Sequence, residues 1–464
     1  MHSPEYSEFI HRKEIKFTSC GISSDLVSDM NDSLFSYQKD IILWALRIGR
    51  SAVWADCGLG KTNIEMEWAN QVHIYTQKPT IIIAPLSVSK QTIEEGIKFG
   101  YDINLCESQD DVINGINITN YEKIHKFDCS VFSGVALDES SILKSFNSKT
   151  KELLIEKFQD THFRLACSAT PAPNDYTELG NHSEFLGIMP YTEMLSMFFI
   201  NDLKDTTANW RLKKHAVADF WKWICSWGIY VQNPSDFGYH DADFVLPELR
   251  IHDEVIDNDY FGSLAVGMNE ARKARRETIR SRCEHAAKIA NDIIKNENEQ
   301  VLVWCDLNDE SKLLTELIDG AVEISGNNTS SEKETRMLDF SHKRSKCIVT
   351  KPKIAGFGMN WQNCNKMIYV GIGYSYEQYY QAVRRCWRFG QEKPVDVYVV
   401  STKREGNVVE SLRNKERNSI AMVNVIKEHM DIFTIDNIQR SSQNITLYNP
   451  NIDMIIPDFL LEIK

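Results

Sequence analysis

Ala55-Asp56-Cys57-Gly58-Leu59-Gly60-Lys61-Thr62 decides the fold of this chain. It follows the apolar run Ser51-Ala52-Val53-Trp54 and opens a stretch expected to be helical from Lys61 through Glu67. Gly58 and Gly60 have no Cβ, so the backbone around Leu59 can turn sharply and aim its N–H groups at one point. Those amides, together with the positive end of the helix dipole, make a cradle for phosphate oxygens. Lys61 can reach the β- and γ-phosphates of a nucleotide, and the Thr62 hydroxyl is placed to bind Mg²⁺. Two glycines alone would fit an ordinary turn. A strand, glycines, Lys and Thr in this order point to phosphate.

The surroundings of the loop set the fold class. Short β-branched runs alternate with helical stretches on both halves of the chain. In the first half they are Ala52-Val53-Trp54, Ile81-Ile82-Ile83, Val135-Ala136-Leu137 and Arg164-Leu165-Ala166-Cys167. In the second they are Val301-Leu302-Val303-Trp304, Cys347-Ile348-Val349-Thr350, Met367-Ile368-Tyr369-Val370 and Val395-Asp396-Val397-Tyr398-Val399. Apolar strands interleaved with helices read as parallel sheets covered on both faces, and two such series imply two α/β lobes. From about Pro173 to Tyr239 the chain is instead aromatic and helix-like, with Trp210, Trp221, Trp223 and Trp227. It reads as a helical connector whose tryptophans are buried core rather than a base-stacking platform.

Composition is that of an ordinary globular protein: 464 residues, 42% hydrophobic and 25% charged, with a formal net charge of −13. Overall acidity argues weakly against wholesale binding along a phosphate backbone, so the local distribution of charge matters more. Arg272, Lys273, Arg275, Arg276, Arg280 and Arg282 form one basic group, which reads as a solvated helix face. The 11 cysteines include no C-x-x-C pair and no grouping with His at zinc spacing, so reduced, mostly buried thiols without a structural metal are expected. The N-terminal stretch has no basic region followed by an apolar core, and no run approaches the roughly 20 apolar residues that span a bilayer. A soluble, cytoplasmic protein with no membrane partner is expected, and a monomer is favoured.

A phosphate cradle hydrolyses nothing without a carboxylate for the metal and a group that activates water. Val135-Ala136-Leu137-Asp138-Glu139 supplies both at the end of a strand, where α/β folds place their ligands. Asp138 is expected to hold Mg²⁺ and Glu139 to polarise the attacking water. Gln38 precedes the loop, and its amide offers the donor and acceptor that suit the edge of adenine. Ser168-Ala169-Thr170-Pro171 follows another strand, with hydroxyls placed to sense the carboxylates. Much further on, Gln381, Arg385 and Arg388 fall at i, i+4 and i+7, so a helix there would bring them to one face. Two guanidiniums on one face can neutralise charge building on a transferring phosphoryl group.

These motifs, in this order, resemble the superfamily 2 helicases and translocases, in particular their Swi/Snf-like branch, over about Leu34 to Val400. Tyr37-Gln38 looks like the adenine-reading motif, Ala55 to Thr62 like motif I with Ala55 at its head, and Asp138-Glu139 like motif II. Arg164 through Leu179 resembles motif III and its following helix. Ser325-Gly326 with Glu332, Lys333 and Phe340 is similar to a further element of the branch, with Lys333 in place of its usual arginine. Gly356-Phe357-Gly358-Met359-Asn360 looks like motif V, and Gln381 to Gln391 like motif VI. Stretches from Cys225 to Tyr239 and from Trp304 to Glu310 look like those of bacteriophage helicases. Motif II departs from many relatives, for Ser141 stands where they carry a histidine, while Lys144 occupies a place where the branch often has a lysine.

The resemblance implies two tandem RecA-like lobes with a helical connector: an N-terminal extension at 1–33, the ATP-binding lobe at 34–172, the connector at 173–250, the second lobe at 251–405 and a C-terminal helix and tail at 406–464. It implies ATP as substrate with Mg²⁺, bound by Gln38, Gly58 to Thr62, Gly358, Gln381, Arg385 and Arg388, with Lys61, Asp138, Glu139 and the two arginines catalytic. Coupling would run through Ser168, Ala169 and Thr170. Ser87, Lys90, Thr119, Asn120, Thr350 and Lys351 are implied as contacts to a nucleic-acid backbone, duplex or branched DNA first and RNA second. Alternatives are a duplex translocase without strand separation, an RNA helicase and an ATP-switched scaffold. In the tail, Asp458 and Glu462-Ile463-Lys464 superficially suggest a nuclease, but three intervening residues cannot form the turn between strands which that signature needs.

Overall fold

The computed structural model describes residues 20–85, 89–144, 149–172, 175–202, 209–241, 244–256, 268–355, 360–373, 375–403 and 406–439. The stretches expected to carry Ser87, Gly358 and the nuclease-like tail lie outside them.

Each of the apolar runs forms a strand. In the first half, β1 (Arg50–Ala55), β2 (Thr80–Ala84), β3 (Ile103–Leu105), β4 (Ile116–Asn120), β5 (Gly134–Leu137) and β6 (Phe163–Cys167) lie in one sheet. A hairpin of β7 (Phe199–Asp202) and β8 (Asn209–Leu212) stands apart, and β9 (Gly228–Val231) rejoins the first sheet. The order is β3-β4-β2-β5-β6-β1-β9, with every pairing parallel. The second sheet holds β10 (Leu249–Ile256), β11 (Val301–Cys305), β12 (Ala321–Ile324), β13 (Cys347–Thr350), β14 (Lys366–Val370) and β15 (Val395–Thr402). Its order is β10-β15-β14-β11-β13-β12, again parallel throughout. Strands β2, β5, β6, β11 and β13 are buried at every position, as a sheet covered by helices on both faces requires. The chain is therefore two tandem RecA-like α/β lobes.

The aromatic connector differs from a purely helical bridge. It includes the β7–β8 hairpin, and its strand β9 extends the first sheet beside β1. The aromatic residues explain why. Trp223 and Trp227 meet at 5.3 Å, Trp227 meets Trp54 of β1 edge-on at 5.6 Å, and Phe198 stacks on Trp223 at 5.3 Å. Rings this large bury enough apolar surface to pull the segment onto the sheet. Trp221, Trp223 and Trp227 are accordingly core.

A long C-terminal helix, Gly406–Gln439, touches both lobes: Leu412 belongs to the core of the second and Ile426 to that of the first. Among the described residues, no helix is long and apolar enough to cross a membrane, and no group of His, Cys, Asp and Glu could hold a metal ion by itself. All but Cys20 and Cys57 of the eleven cysteines are buried, and all are free thiols.

Candidate nucleotide site between the lobes

Two parallel sheets offer their ligands at the carboxyl ends of their strands. Helix α1 (Ser36–Ile48) packs beside β1, and α2 (Lys61–Thr76) leaves the phosphate-type loop. Gly60 is left-handed at φ 73°, capping α2, and Gly58 has φ 92°. A Cβ on Gly60 would come within 2.3 Å of the Gln38 amide nitrogen. The loop is braced from below: Tyr37 Oη and Gln38 Nε2 donate to the Leu59 carbonyl at 2.9 and 3.0 Å. Gln38 thus supports the loop's shape while also facing the cleft. Lys61 Nζ folds back to the carbonyls of Ala55 and Asp56 at 2.9 and 3.3 Å.

A cavity of about 280 Å³ lies between the lobes. Its walls include Gln38, Gly58, Gly60, Lys61, Thr62, Asp138 and Glu139 from the first lobe, and Asn360, Arg384, Arg385, Arg388 and Phe389 from the second. Burial, and then the charge of Glu139, push the Asp138 carboxyl well above the ordinary carboxylate range. Burial raises Glu139 too, against the pull of Lys61 and Arg385. Burial alone would lower the Lys61 ammonium, but Cys57 and the carboxylates of Glu139, Asp56 and Asp138 outweigh it, and the net shift is upward. Thr62 and Asp138 present hard oxygen donors to the same space, and a divalent cation would relieve the crowding of negative charge there, so these residues fit Mg²⁺.

Glu139 is one of four non-glycine residues with positive φ among the described residues, at 56°. Such backbone costs about 1–3 kcal/mol and persists only where the surroundings impose it. Here Tyr121 Oη donates to the Asp138 carbonyl at 2.6 Å, and the Ile142 N–H to that of Glu139 at 3.1 Å. Gln381 Nε2 reaches Glu139 from the second lobe at 3.5 Å, and Lys144 pairs with Glu377 across the same gap. Ser168 Oγ accepts the Thr170 N–H at 3.1 Å beside a buried Ala169.

The second lobe does not place its arginines on one helical face. The helix α3 (Tyr376–Val383) stops before them. The N–H groups of Arg385 and Cys386 instead bond three residues back, to Ala382 and Val383, in a tighter turn. Arg385 Nε then returns to the Gln381 carbonyl at 3.1 Å, and Arg388 pairs with Asn360. Arg385 and Arg388 still meet at the cavity, through a turn rather than a heptad-like stripe.

The implied nucleic-acid contacts are scattered differently. Thr119, Asn120 and Thr350 are buried, with their side chains bonded to the Cys106 carbonyl, the Lys123 N–H and the Ile324 carbonyl. Lys351 Nζ donates to Asn308 Oδ1 at 2.6 Å on the surface. Lys90 is the second residue of the helix Ser89–Phe99, and its side chain is outside the described set. Nor is the basic group near residue 275 a uniform solvated face. Arg275 and Arg282 are buried, Arg275 on Asp306 at 2.7 Å and Arg282 on Glu310 at 2.8 Å.

Sequence reading missed several cleft residues. Phe244 stacks on Phe389 at 4.8 Å, and Phe35 meets Phe244 edge-on at 5.2 Å, forming an aromatic end to the cavity from three distant segments. No local pattern marks such residues. Buried Glu65 sits behind the loop, where burial and neighbouring Asp138 hold its carboxyl well above the usual range. His182 Nε2 lies 3.0 Å from Ser140 Oγ in motif II, and burial pushes its imidazole down to about 4.

The chain matches two family models and several known proteins. Residues 59–215 match the SNF2-related domain, and residues 284–390 the helicase conserved C-terminal domain. Protein p41 of Acyrthosiphon pisum secondary endosymbiont phage 1 is 22% identical over 454 residues, spanning 82% of this chain and 95% of that protein. Two Arabidopsis thaliana proteins match over shorter stretches. The ATP-dependent DNA helicase DDM1 is 32% identical over 87 residues, covering 18% of this chain and 11% of its own length. Protein CHROMATIN REMODELING 20 is 29% identical over 96 residues, covering 20% of this chain and 6% of its own length.

Proposed function

Since the chain belongs to the Snf2-like branch of the superfamily 2 helicases, we propose that it is a DNA-stimulated ATPase that converts cleft opening and closing into movement along DNA. The observation that carries this reading is the cavity itself, with a phosphate cradle and two carboxylates on one lobe and three arginines on the other. Loop amides and Lys61 hold the phosphates, and Glu139 orients and polarises the attacking water. Arg385 and Arg388 approach from the second lobe and offset the charge that develops on the transferring phosphoryl group. Thr62 and Asp138 would hold Mg²⁺, which supplies positive charge at the phosphate oxygens when bound. Water is excluded as the lobes close, and the aromatic end takes the base.

Ser168 to Thr170 follow β6, which lies between the carboxylate strand β5 and β1, and are the proposed coupling segment. Grip on the strand is assigned to Ser87, Lys90, Thr119, Asn120, Thr350 and Lys351. Thr119, Asn120 and Thr350, whose side chains are buried and bonded within the protein, would act by shaping the β-strand ends beside the contacts. DNA is preferred over RNA because a matching relative bears the name of a DNA helicase.

The test is ATP turnover with single-stranded, duplex and forked DNA and with RNA, alongside strand displacement on the same substrates. Stimulation by DNA that disappears in Lys61→Ala supports the reading. Stimulation by RNA alone would move the substrate to RNA, and no stimulation by either polymer would sink it.

A further inference from the structure

Arg384, next to Arg385 and lining the same cavity, directs hydrogen bonds to the phosphate-type loop. Its Nη2 lies 2.7 Å from Asp56 Oδ2 and donates to the Cys57 carbonyl at 2.7 Å, so both bonds end on the loop of the other lobe. Tyr380, one helical turn earlier, donates its hydroxyl to Asp56 Oδ1 at 2.5 Å. The same oxygen accepts the Cys57 N–H at 2.7 Å. The guanidinium also sits over the rings of Tyr380 and Trp387 at 5.7 and 5.0 Å, and Trp387 is tied to the Pro247 carbonyl at 2.7 Å. Arg384 and Asp56 are both buried, 328 positions apart.

We propose that Asp56, Tyr380 and Arg384 form a latch by which the second lobe reads the phosphate loop, making Arg384 a positioning residue rather than a third finger. Asp56 immediately precedes the turn Cys57-Gly58, so a pull on its carboxylate sets that turn. Arg385 follows Arg384 in the chain, with its Cα about 3.8 Å away, so seating Arg384 on the loop delivers Arg385 to the phosphates. A buried guanidinium–carboxylate pair with two further bonds is directional enough to fix that register. Phe389 presses on the same loop: a Cβ on Gly58 would come within 3.1 Å of its backbone nitrogen.

The kinetic arm rests on the reading of the cleft as an ATP site; the closure arm does not. In the 464-residue chain, Arg384→Gln and Asp56→Asn are each expected to lower kcat about 30-fold or more, with a much smaller change in KM. The double variant is expected to be no worse than the poorer single, and Arg384→Lys to recover part of the loss. Solution scattering, with and without a non-hydrolysable ATP analogue, should give a larger radius of gyration for the single variants than for the parent. Losses that multiply in the double variant, or singles that leave kcat and radius unchanged, overturn the latch. If Arg384→Gln fails to fold by thermal melting, Tyr380→Phe decides: a loss of about fivefold supports the latch and an unchanged kcat overturns it. A parent protein that closes with the analogue but is not stimulated by nucleic acid sinks the proposed function and leaves the latch standing.

Discussion

The first lobe brings carboxylates to the cleft and the second brings guanidiniums. Asp138 and Glu139 line a common cavity with Arg384, Arg385 and Arg388, with Lys61 the loop's own cation, and Asp56 beside that loop pairs directly with Arg384. Each set is uncomfortable alone. Burial and mutual repulsion push Asp138 up, while burial and then Arg385 push Arg388 down. Facing each other, or facing a nucleotide, the two sets are relieved. The second lobe also keeps a private pair away from the cleft, Arg282 with Glu310, both fully buried. The chemistry is the same, but one kind of pair is shared between the two lobes and the other stays inside one lobe. The first should report on turnover and the second on folding.

Arg385→Ala should break the shared set most severely, lowering kcat by about 1,000-fold with the fold intact, because the charge it supplies matters only as the phosphoryl group transfers. Steady-state ATP turnover checks this, and a loss below about tenfold would reject the assignment. Arg282→Ala should break the private pair. It strands Glu310 without its counter-charge and removes donors to the Thr278 hydroxyl and the Arg275 carbonyl. Leaving one buried partner unpaired costs about 3–5 kcal/mol, which a shift in the urea midpoint followed by circular dichroism would show. A cost near zero would mean that water reaches the pair.

How far the sequence foretold this division depends on range. Strands β2 and β5 are legible because a fully buried parallel strand is written as a near-continuous apolar run, and the phosphate loop because its function demands glycines, Lys and Thr in order. Strand β9 is hidden, because Gly228-Ile229-Tyr230-Val231 joins the sheet through aromatic packing that no local period encodes. The stripe of Gln381, Arg385 and Arg388 failed for a tertiary reason: the helix ends at Val383, where Arg384 leaves to meet Asp56. His182 and Phe244 were invisible, since each acquires its neighbours only when distant segments meet.

His182 sharpens the comparison from within the first lobe, where a cation is absent by design of the environment. Its imidazole has a folded pKa of about 4 against an ordinary 6.5. Between those values the unfolded chain binds a proton that the folded chain refuses. Stability therefore falls as pH drops from about 6.5 to about 4 and levels off below, a loss of about 3 kcal/mol from this residue at the acid end. His182→Gln should flatten that part of a stability–pH curve while other carboxylate contributions remain. An unchanged slope would show that the ring is already protonated or solvated.

Arg280 gives the smallest effect and the cleanest control, because it lies two residues from Arg282. It pairs with Glu284 at 2.8 Å across one helical turn, but its side chain is 86% exposed and that of Glu284 52%. Water screens such a pair, and holding two long side chains together offsets most of the attraction. Arg280→Ala should change the urea midpoint by an amount worth about 0.5 kcal/mol or less, and added salt should erase even that. If it matched Arg282→Ala, net charge in this helical region would govern stability and the difference between shared and private pairs would collapse. If it stays small, what separates the arginines of this lobe is exclusion of water, and the same criterion then marks Arg384, buried against Asp56, as a residue whose charge is felt by the opposite lobe.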